Sequence, residues 1–599
     1  MSFFTLTRQP SRMEIPTGGR CQSILNKDRS ACLIISIPDS PVQGPRRRSA
    51  PNCVISPHTM GSDRPVREAE NRLERFNSDR EHLLAEVERR VVARKLADAR
   101  AGGDASLEYV LNDVAFWEIR RLEASRRGND GALERWRDLS RRLLTMTEPD
   151  KEEELRGLVR YYGRDVVGNF DPRVYRFATG VAPRLLGFVF SPIGSLREGM
   201  QAVRNLDARV HADGELEIAR ACAERGTLIV TPTHSSNMDS PAIGLGLLRA
   251  GLPPTTYGAG KNLFSNPFMA FFMRNLGAYR VDRRLKFELY KDVLKEYSTV
   301  LLEHGYHSLF FPGGTRSRSN LVENHLKLGL LGTTATAYKN SVREGAPHKR
   351  LYVVPVTINY RLVLEAETLI DDYLAETGKS RYIITDDEFS RIGRIVEFFR
   401  KILAHEGSVV VRFGRPLDPF GNDITDDGES IDRQGRAVDP ASFVRGADGE
   451  VTDDDQRDAE YTRALGRRLA AAYPRLTVFH ATHLVARAVY DAIAATAGTR
   501  DIYRLLRLAG PKLAVGADRV VERLARLRAR LVEHPAWGVE HSLLAAQPAG
   551  AVLDDAIRGL SSYHTRPVVS RRDQVLQVDD VKLLYYYQNR TAHVPPEAA

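Results

Sequence analysis

Cysteine is scarce in this sequence, with four among 599 residues, and three of the four lie within the first 60 positions: Cys21, Cys32 and Cys53. The rest of the chain contains only Cys222, which excludes a disulfide framework or a cysteine-based zinc site there and favours a reducing compartment. His, Asp and Glu also lack the spacing of a zinc or di-iron site. We therefore predict no bound metal and no resident cofactor.

Long apolar runs are missing as well. The most apolar stretch, residues 174–190, is interrupted by Arg176, Pro183 and Arg184 and falls short of the ~20 continuous apolar residues that a membrane-spanning helix requires. We predict no transmembrane helix; whether this stretch lies on a membrane surface or forms a buried helix-turn-helix stays open. The N-terminal region lacks the continuous apolar segment of a secretory signal peptide.

Charge is the compositional feature that needs an explanation. Lys and Arg number 87 against 77 Asp and Glu, a formal +10, which points to a nucleic acid, an anionic membrane surface or a phosphorylated substrate. Half of the excess lies in residues 1–60, with eight basic and three acidic residues. We expect this segment to be a disordered tail or an incorrectly assigned start. No aromatic-interleaved basic strand or helix-turn-helix pattern supports nucleic-acid binding.

Hydrophobic periodicity divides the remaining chain into five parts. It predicts a helical N-terminal domain (61–165), an apolar amphipathic connector (166–210), an α/β domain of alternating strands and helices (211–415), a solvated Asp/Gly-rich insertion (416–456) and a mainly helical C-terminal region (457–599). Within the α/β domain we predict strands at 227–231, 279–281, 307–311, 352–358 and 408–413, and helices at 241–249, 267–276, 287–304, 325–338 and 391–405.

The densest polar cluster, Thr231–Pro241, connects a predicted strand to a predicted helix. Ser240 suits the N-cap position and Pro241 the first helical position, which places His234 and Asp239 on the connecting turn. A carboxylate folded back onto one imidazole nitrogen would orient the ring, so that the other nitrogen could take a proton from a substrate hydroxyl. A lone His and Asp in one loop often has no catalytic role, so the neighbouring motifs decide its interpretation.

Three further motifs follow along the chain. Residues 309–319 (Leu-Phe-Phe-Pro-Gly-Gly-Thr-Arg-Ser-Arg-Ser) leave a predicted strand. The paired glycines allow close backbone approach to a ligand, and Arg316 and Arg318 carry the forked donors that bind phosphate. Residues 277–284 add further arginines, and the proline within strand 353–358 indicates a bend or a sheet edge. Each motif is weak alone, but their order is far more specific.

Taken in order, the motifs read His-Ser-x-x-x-Asp, Gly-x-x-x-Val-x-Arg, Pro-x-Gly-Thr-Arg-Ser-Arg and Val-Pro-Val. This series, over residues 225–360, resembles the four acyltransferase blocks of the glycerolipid acyltransferase superfamily. The run from 279 to 331, the long helical N-terminal region and the segment Leu583–Arg590 are similar to the large bacterial glycerol-3-phosphate acyltransferases. The resemblance implies a mixed central β-sheet covered by helices.

The resemblance also implies roles for individual residues. His234 would be the general base and Asp239 the residue that orients it. Four basic side chains would bind the substrate phosphate, the last of them as a helper: Arg283, Arg316, Arg318 and Lys327. One departure is clear, because the commonest third block has Glu before Gly-Thr-Arg, where this chain has Gly313. Some glycerol-3-phosphate enzymes of the superfamily also lack that Glu, so how the glycerol hydroxyls are held stays open.

The implied reaction moves a long-chain acyl group from acyl-CoA or an acyl carrier protein thioester to the sn-1 hydroxyl of glycerol 3-phosphate, the first step of phospholipid synthesis. It would take place at the cytoplasmic face of the inner membrane, on a peripheral protein. The partners would be these two substrates, the acyl carrier protein and an anionic membrane surface. Two alternatives stay open: an acyltransferase acting on lysophosphatidate or another phosphorylated acceptor, and a non-catalytic lipid-binding protein on the same scaffold.

Position along the chain suggests two more features. The backbone N–H groups of Gly313 and Gly314 are the nearest candidate donors to a tetrahedral oxyanion. The apolar segment 264–272 and the nearby Met273 are a candidate acyl tunnel, with buried core as an equal alternative. A covalent acyl-enzyme is disfavoured, because no Gly-x-Ser-x-Gly elbow is present and Cys222 lies in a predicted helix.

Overall fold

The computed structural model describes residues 72–101, 106–124, 130–178, 210–264, 267–346, 348–377, 408–508 and 513–596. The N-terminal segment 1–60, most of the connector 166–210 and the helix expected at 391–405 lie outside these residues and stay predictions. Among the described helices, none is long and apolar enough to cross a membrane.

Helices occupy the N-terminal region: α1 (Phe76–Arg100), α2 (Leu107–Glu123), α3 (Asp130–Arg142), α4 (Glu148–Val166) and the short α5 (Pro172–Arg176). Local sequence begins two of them, because the Ser106 side chain caps α2 and Thr147 forms a capping box with Asp150 at the start of α4. Their apolar faces share one hydrophobic core with buried residues between 279 and 306. The N-terminal helices therefore pack directly against the α/β region.

A seven-stranded mixed sheet forms the centre of the α/β region. Its strands are β1 (Val210–Gly214), β2 (Gly226–Pro232), β3 (Thr256–Gly260), β4 (Ala278–Val281), β5 (Ser308–Leu309), β6 (Arg350–Tyr360) and β7 (Val409–Phe413). They are ordered β1-β7-β6-β2-β5-β3-β4, and β6 and β7 are the antiparallel neighbours in an otherwise parallel arrangement. The implied mixed sheet is confirmed, and the five predicted strands are present.

Helices pack on both faces of this sheet: α6 (Leu216–Arg225), α7 (Asp239–Arg249), α8 (Pro267–Asn275), α9 (Glu288–Glu303), α10 (Leu328–Arg343) and α11 (Ala366–Thr377). Alternate residues of β2 face opposite sides, since Leu228 and Val230 belong to one hydrophobic core and Ile229 to another. Four predicted helices correspond to α7, α8, α9 and α10, whereas the sequence analysis does not identify α11.

The expectation that Pro355 marks a bend or a sheet edge is wrong. β6 is central and almost entirely buried, with β2 on one side and β7 on the other. The proline is tolerated because the β7 ladder begins at Val356, while Val353 pairs with Leu417. Between these two pairs Pro355 contributes only its carbonyl oxygen, which accepts from the Gly414 N–H, so its missing N–H breaks no ladder bond.

The Asp/Gly-rich segment contains the short strands β8 (Asp423–Ile424) and β9 (Ser430–Ile431). It differs from the expected solvated loop, because Leu417, Phe420 and Val444 are buried in the core that includes residues of α10. Beyond it lie seven described helices: α12 (Asp455–Leu476), α13 (Ala481–Ala497), α14 (Ile502–Leu505), α15 (Ala517–Glu533), α16 (Ser542–Ala545), α17 (Ala549–Ser562) and α18 (Val581–Asn589). The C-terminal region also contains five short strands: β10 (Val478–Phe479), β11 (Ala514–Gly516), β12 (Val539–Glu540), β13 (Val569–Arg572) and β14 (Val575–Val578).

Candidate active site

The predicted site residues follow strands that end at one edge of the sheet. His234 follows β2, the segment 312–320 follows β5, and Arg283 follows β4. β2, β5, β3 and β4 are adjacent in that order and parallel, so their carboxyl-terminal ends lie side by side. At ~4.8 Å between neighbouring strands, the loops after β2 and β5 are in contact, whereas the end of β4 is ~14 Å from β2.

His234 and Asp239 lie together, as the sequence analysis expects. His234 Nδ1 is 2.7 Å from Asp239 Oδ2, and the same oxygen accepts hydrogen bonds from the backbone N–H groups of Ser235 and Ser236 at 2.6 and 2.9 Å. Asp239 is fully buried, whereas 19% of the His234 side chain is exposed. Because a carboxylate can only accept hydrogen bonds, this contact places the proton on Nδ1 and leaves the Nε2 lone pair for a substrate.

The predicted start of the following helix is wrong. α7 begins at Asp239, with Met238 at the N-cap position, so Ser240 and Pro241 already lie inside the helix. The Asp239 carboxylate accepts hydrogen bonds from N–H groups of the preceding turn, so it fixes the loop that leads into the helix and does not cap the first helical turn. A negative side chain in the first helical turn is also favoured by the helix dipole.

The loop after β5 holds His234 in place. The Phe311 ring stacks on the imidazole with centroids 4.4 Å apart and planes 27° apart. The Ser317 N–H donates a hydrogen bond to the His234 carbonyl oxygen at 2.8 Å. The third sequence block therefore positions both the ring and the backbone of the histidine in the first block.

Arg316 reaches the same loop through a carboxylate that the sequence analysis does not identify. Glu365 accepts hydrogen bonds from Ser236 Oγ at 2.9 Å and from the Asn237 N–H at 2.8 Å, and its Oε1 is 3.8 Å from Arg316 Nη1. Burial raises the pKa of Glu365, with the Asn237 hydrogen bond and the Arg316 charge opposing it. No motif marks this residue, which lies in the connection between β6 and α11, just beyond the fourth block.

The other three predicted phosphate ligands have different surroundings. Arg318 Nη1 is 2.7 Å from Glu376 Oε2 on α11, in a partly exposed pair. Lys327 immediately precedes α10, its N–H donates to the Pro312 carbonyl oxygen at 2.7 Å, and its side chain covers Gly314. Arg283 is exposed at the end of β4. The structure thus brings Arg316 to the His234 loop and spreads the other three cations around it.

The glycine pair is engaged within the protein. Gly314 is in the left-handed region, with φ at 73°, and its N–H donates to the Phe311 carbonyl oxygen at 3.0 Å, which closes the turn. The Gly313 backbone amide faces the carboxyl of Glu323. The Gly314 N–H, one of the two expected oxyanion donors, is therefore already bound within this turn.

Glu323, also absent from the sequence predictions, touches both loops. Its Oε1 accepts a hydrogen bond from the His234 N–H at 2.6 Å, and a Cβ added to Gly313 would lie 2.6 Å from its Cδ. Burial raises the pKa of Glu323 to about 8; the Asp239 carboxylate acts in the same direction, and the His234 and Gly313 amides and Arg590 oppose it. The carboxyl is therefore mostly protonated at neutral pH.

The C-terminal segment 583–590 packs against the third block. The Asn589 side chain donates to the Ser319 carbonyl oxygen at 3.0 Å, and Asn320 donates to the Tyr586 carbonyl oxygen at 3.2 Å. Arg590 is buried and donates to the Ile358 carbonyl oxygen at 3.2 Å and to Asn359 Oδ1 at 2.9 Å. The end of α18 is therefore part of the wall that supports the site.

A cavity of about 730 Å³ lies next to α8 and β4. Its wall combines the apolar side chains of Phe264, Ala270 and Phe271 with four arginines: Arg80, Arg164, Arg274 and Arg280. Met273 is buried in a small core instead, within hydrogen-bond distance of the Tyr257 hydroxyl. The segment proposed as acyl tunnel or core thus contributes to both.

Of the residues that the structure describes, one group offers three metal-ligand atoms within 4.8 Å: His82, Glu86 and His304. Glu86 accepts from His304 Nε2 at 3.0 Å and pairs with Arg90. Although burial acts against it, the His304 hydrogen bond and the Arg90 charge lower the pKa of Glu86. The carboxylate is thus already bound by Arg90 and His304 of the protein.

Comparison with known proteins agrees with this arrangement. Residues 209–359 match the family model described as Acyltransferase. Glycerol-3-phosphate acyltransferases from Pseudomonas paraeruginosa (strain PA7) and Pseudomonas fluorescens (strain Pf-5) are 26% and 30% identical over 330 and 196 residues, or 53% and 33% of this chain. These alignments cover 36% and 22% of the relatives, so the chain spans about a third or less of the curated relatives it matches.

A solved structure also matches, the 1-acyl-sn-glycerophosphate (LPA) acyltransferase PlsC from Thermotoga maritima. That match has 14% identity and a TM-score of 0.21 and covers 50% of this chain and 93% of the other. The four sequence blocks all lie within residues 209–359, so the part of the chain that carries them is the part that matches the Acyltransferase family.

Proposed function

We propose that this protein transfers a long-chain acyl group from an acyl thioester to the sn-1 hydroxyl of glycerol 3-phosphate. The observation that carries the proposal is the 2.7 Å contact between His234 Nδ1 and Asp239, beside the loop that bears Arg316. The name of the relatives supports the choice of acceptor.

In the proposed reaction, His234 Nε2 removes the proton of the acceptor hydroxyl as its oxygen bonds to the thioester carbonyl carbon. The tetrahedral intermediate then expels the thiolate, and the imidazolium of His234 donates its proton to that thiolate. Asp239 holds the ring in the productive tautomer and stabilises its positive charge between the two steps. No protein nucleophile is needed, and burial raises the pKa of the Cys222 thiol to about 12, which makes it a poor one.

The acceptor phosphate would bind first to Arg316, because this predicted phosphate ligand faces Glu365, which is hydrogen-bonded to the loop that follows His234. We expect Arg316→Ala to raise the KM for glycerol 3-phosphate by about 10-fold to 100-fold, as for loss of a hydrogen bond to a charged group. Arg283→Ala, at the end of β4, should raise it less. Steady-state kinetics with varied acceptor measure both, and equal effects would contradict the assignment of Arg316 as the principal ligand.

The acyl donor, acyl-CoA or an acyl carrier protein thioester, would place its apolar chain in the 730 Å³ cavity beside α8. The four arginines of that cavity suit the phosphates of either carrier. Because the product partitions into a bilayer, we place the reaction at the cytoplasmic face of the inner membrane, with an anionic lipid surface as partner and the protein bound peripherally.

The acceptor assay tests the proposed function directly. Purified protein should consume acyl thioester only with a phosphorylated acceptor, and kcat/KM should be about 10-fold or more higher with glycerol 3-phosphate than with lysophosphatidate. The reverse preference would make the protein a lysophosphatidate acyltransferase. Vesicle binding without acyl transfer to either acceptor would instead favour a lipid-binding protein.

A further inference from the structure

Glu323 occupies the volume that a side chain at position 313 would need. Gly313 is not in the left-handed region, so its backbone would accept any L-residue. A Cβ added there would lie 2.6 Å from Glu323 Cδ and 2.9 Å from Oε1, and closer still to Oε2. The glycine is therefore required by the neighbouring carboxyl and not by its own conformation.

The carboxyl is anchored at one oxygen and unpaired at the other. Oε1 accepts the His234 N–H at 2.6 Å, whereas Oε2 is completely buried and has no hydrogen bond of normal geometry. The segment that carries it is closed by the bond from the Lys327 N–H to the Pro312 carbonyl oxygen. A buried polar atom without a partner destabilises a fold, so its presence next to the candidate base calls for a functional explanation.

We propose that Glu323 is a positioning residue of the acyl-transfer site, which replaces a side chain at position 313 and holds the His234 backbone against the turn at Gly313 and Gly314. This inference rests on the proposed function for its catalytic consequence. The other half of the proposal is that the carboxyl of a residue ten positions further along the chain fills the space beside Gly313. That half does not depend on the proposed function.

The charge state of Glu323 determines which substitution can replace it. The groups that face its carboxyl are Asp239, Arg590, the Tyr473 hydroxyl and the His234 and Gly313 amides. Because the carboxyl is mostly protonated at neutral pH, the carboxylate that orients His234 is that of Asp239. Glutamine has the same shape, carries no charge and keeps an oxygen that can accept the His234 N–H.

Three single variants test the positioning role by activity and melting temperature. E323A should lower kcat by about 100-fold, the effect of a displaced catalytic group, with the KM for the acceptor changed little. E323Q should stay within about three-fold of the wild type, and N324A, at the exposed neighbouring position, should match it. A kcat for E323A within about three-fold of the wild type, or an equal loss in E323A and E323Q, would overturn the proposal.

A swap of the carboxyl between the two positions separates positioning from loss of folding. The double variant G313E with E323A puts a carboxyl back into the same volume from the other side. Its kcat should be at least about ten-fold higher than that of E323A. A double variant that melts like the wild type and is no more active than E323A would overturn the positioning role.

A substrate-free measurement keeps this inference distinct from the proposed function. G313A should lower the melting temperature because its methyl group pushes Glu323 away from the His234 N–H, and it should have little further effect in an E323A background. This coupling is measurable even if glycerol 3-phosphate is not the acceptor, or if no acyl transfer is found. Additive effects of G313A and E323A on the melting temperature would show that the two residues do not share the volume.

Discussion

Replacing His234 by alanine is expected to lower kcat by about 10³-fold, within the range that general bases contribute, while the protein stays folded. The ring is 19% exposed and stacks on Phe311, so its removal leaves a small gap, and the buried Asp239 carboxylate keeps the Ser235 and Ser236 N–H groups as donors. Acyl transfer is followed with saturating acyl thioester and acceptor, and circular dichroism checks the fold.

His348→Ala is the matched control, because His348 is exposed and precedes the amino-terminal end of β6, at the edge of the sheet opposite to His234. It should leave kcat unchanged. Asp239→Asn should also lower kcat strongly, since an amide can donate to Nδ1 and favour the wrong tautomer. Unchanged turnover in His234→Ala would refute the general-base assignment and with it the proposed mechanism.

Replacing Arg590 by methionine is expected to destabilise the protein by about 3–5 kcal/mol, the usual cost of removing one partner from a buried charged network. Arg590 is 2% exposed, donates to Ile358 and Asn359, and its positive charge faces the carboxyl groups of Asp239 and Glu323. Without it, Asp239 is left without a compensating charge. Urea denaturation measures the difference in the free energy of unfolding.

Arg519→Met, on the exposed side of α15, provides the control for loss of an arginine and should change stability by less than about 0.5 kcal/mol. Activity lost in Arg590→Met at a temperature where it is fully folded would further show that the C-terminal segment supports the site. Equal stability of the two variants would show that the buried charge of Arg590 is dispensable.

The strands and helices that the sequence predicted share strong local signals. β2, β6 and β7 are short apolar runs, and α9 has an apolar stripe of helical period. β1 and β3 were not predicted because their side chains lack the pattern of a strand. β1 is an edge strand with a single buried residue, and β3 contains two glycines, so pairing of their backbones with neighbouring strands places them in the sheet. The error at Pro355 has the same cause, since only the change of partner along β6 shows how a proline fits a central strand.

The residues of the candidate site also fall into those that the sequence predicted and those that only the structure revealed. His234 and Asp239 are five residues apart, so their motif was enough to pair them, whereas only the pairing of β5 with β2 shows that the loop with Arg316 lies beside them. From the sequence alone, Gly313 indicated only that the Glu usual at this position of the third block is absent. Of the two oxyanion donors predicted there, the Gly314 N–H is bound within the turn, and the role of the Gly313 N–H stays a prediction.

The sequence by itself determined the order of the four acyltransferase-like blocks and the His234 and Asp239 pair, because these depend on contiguous motifs at strand ends. Only the tertiary structure decided which groups surround that pair. Glu323, Glu365 and Arg590 reach it or its flanking strand across 89, 128 and 231 residues of chain. Contacts at such separations are set by how loops, sheet and C-terminal helix pack, and no local pattern encodes them.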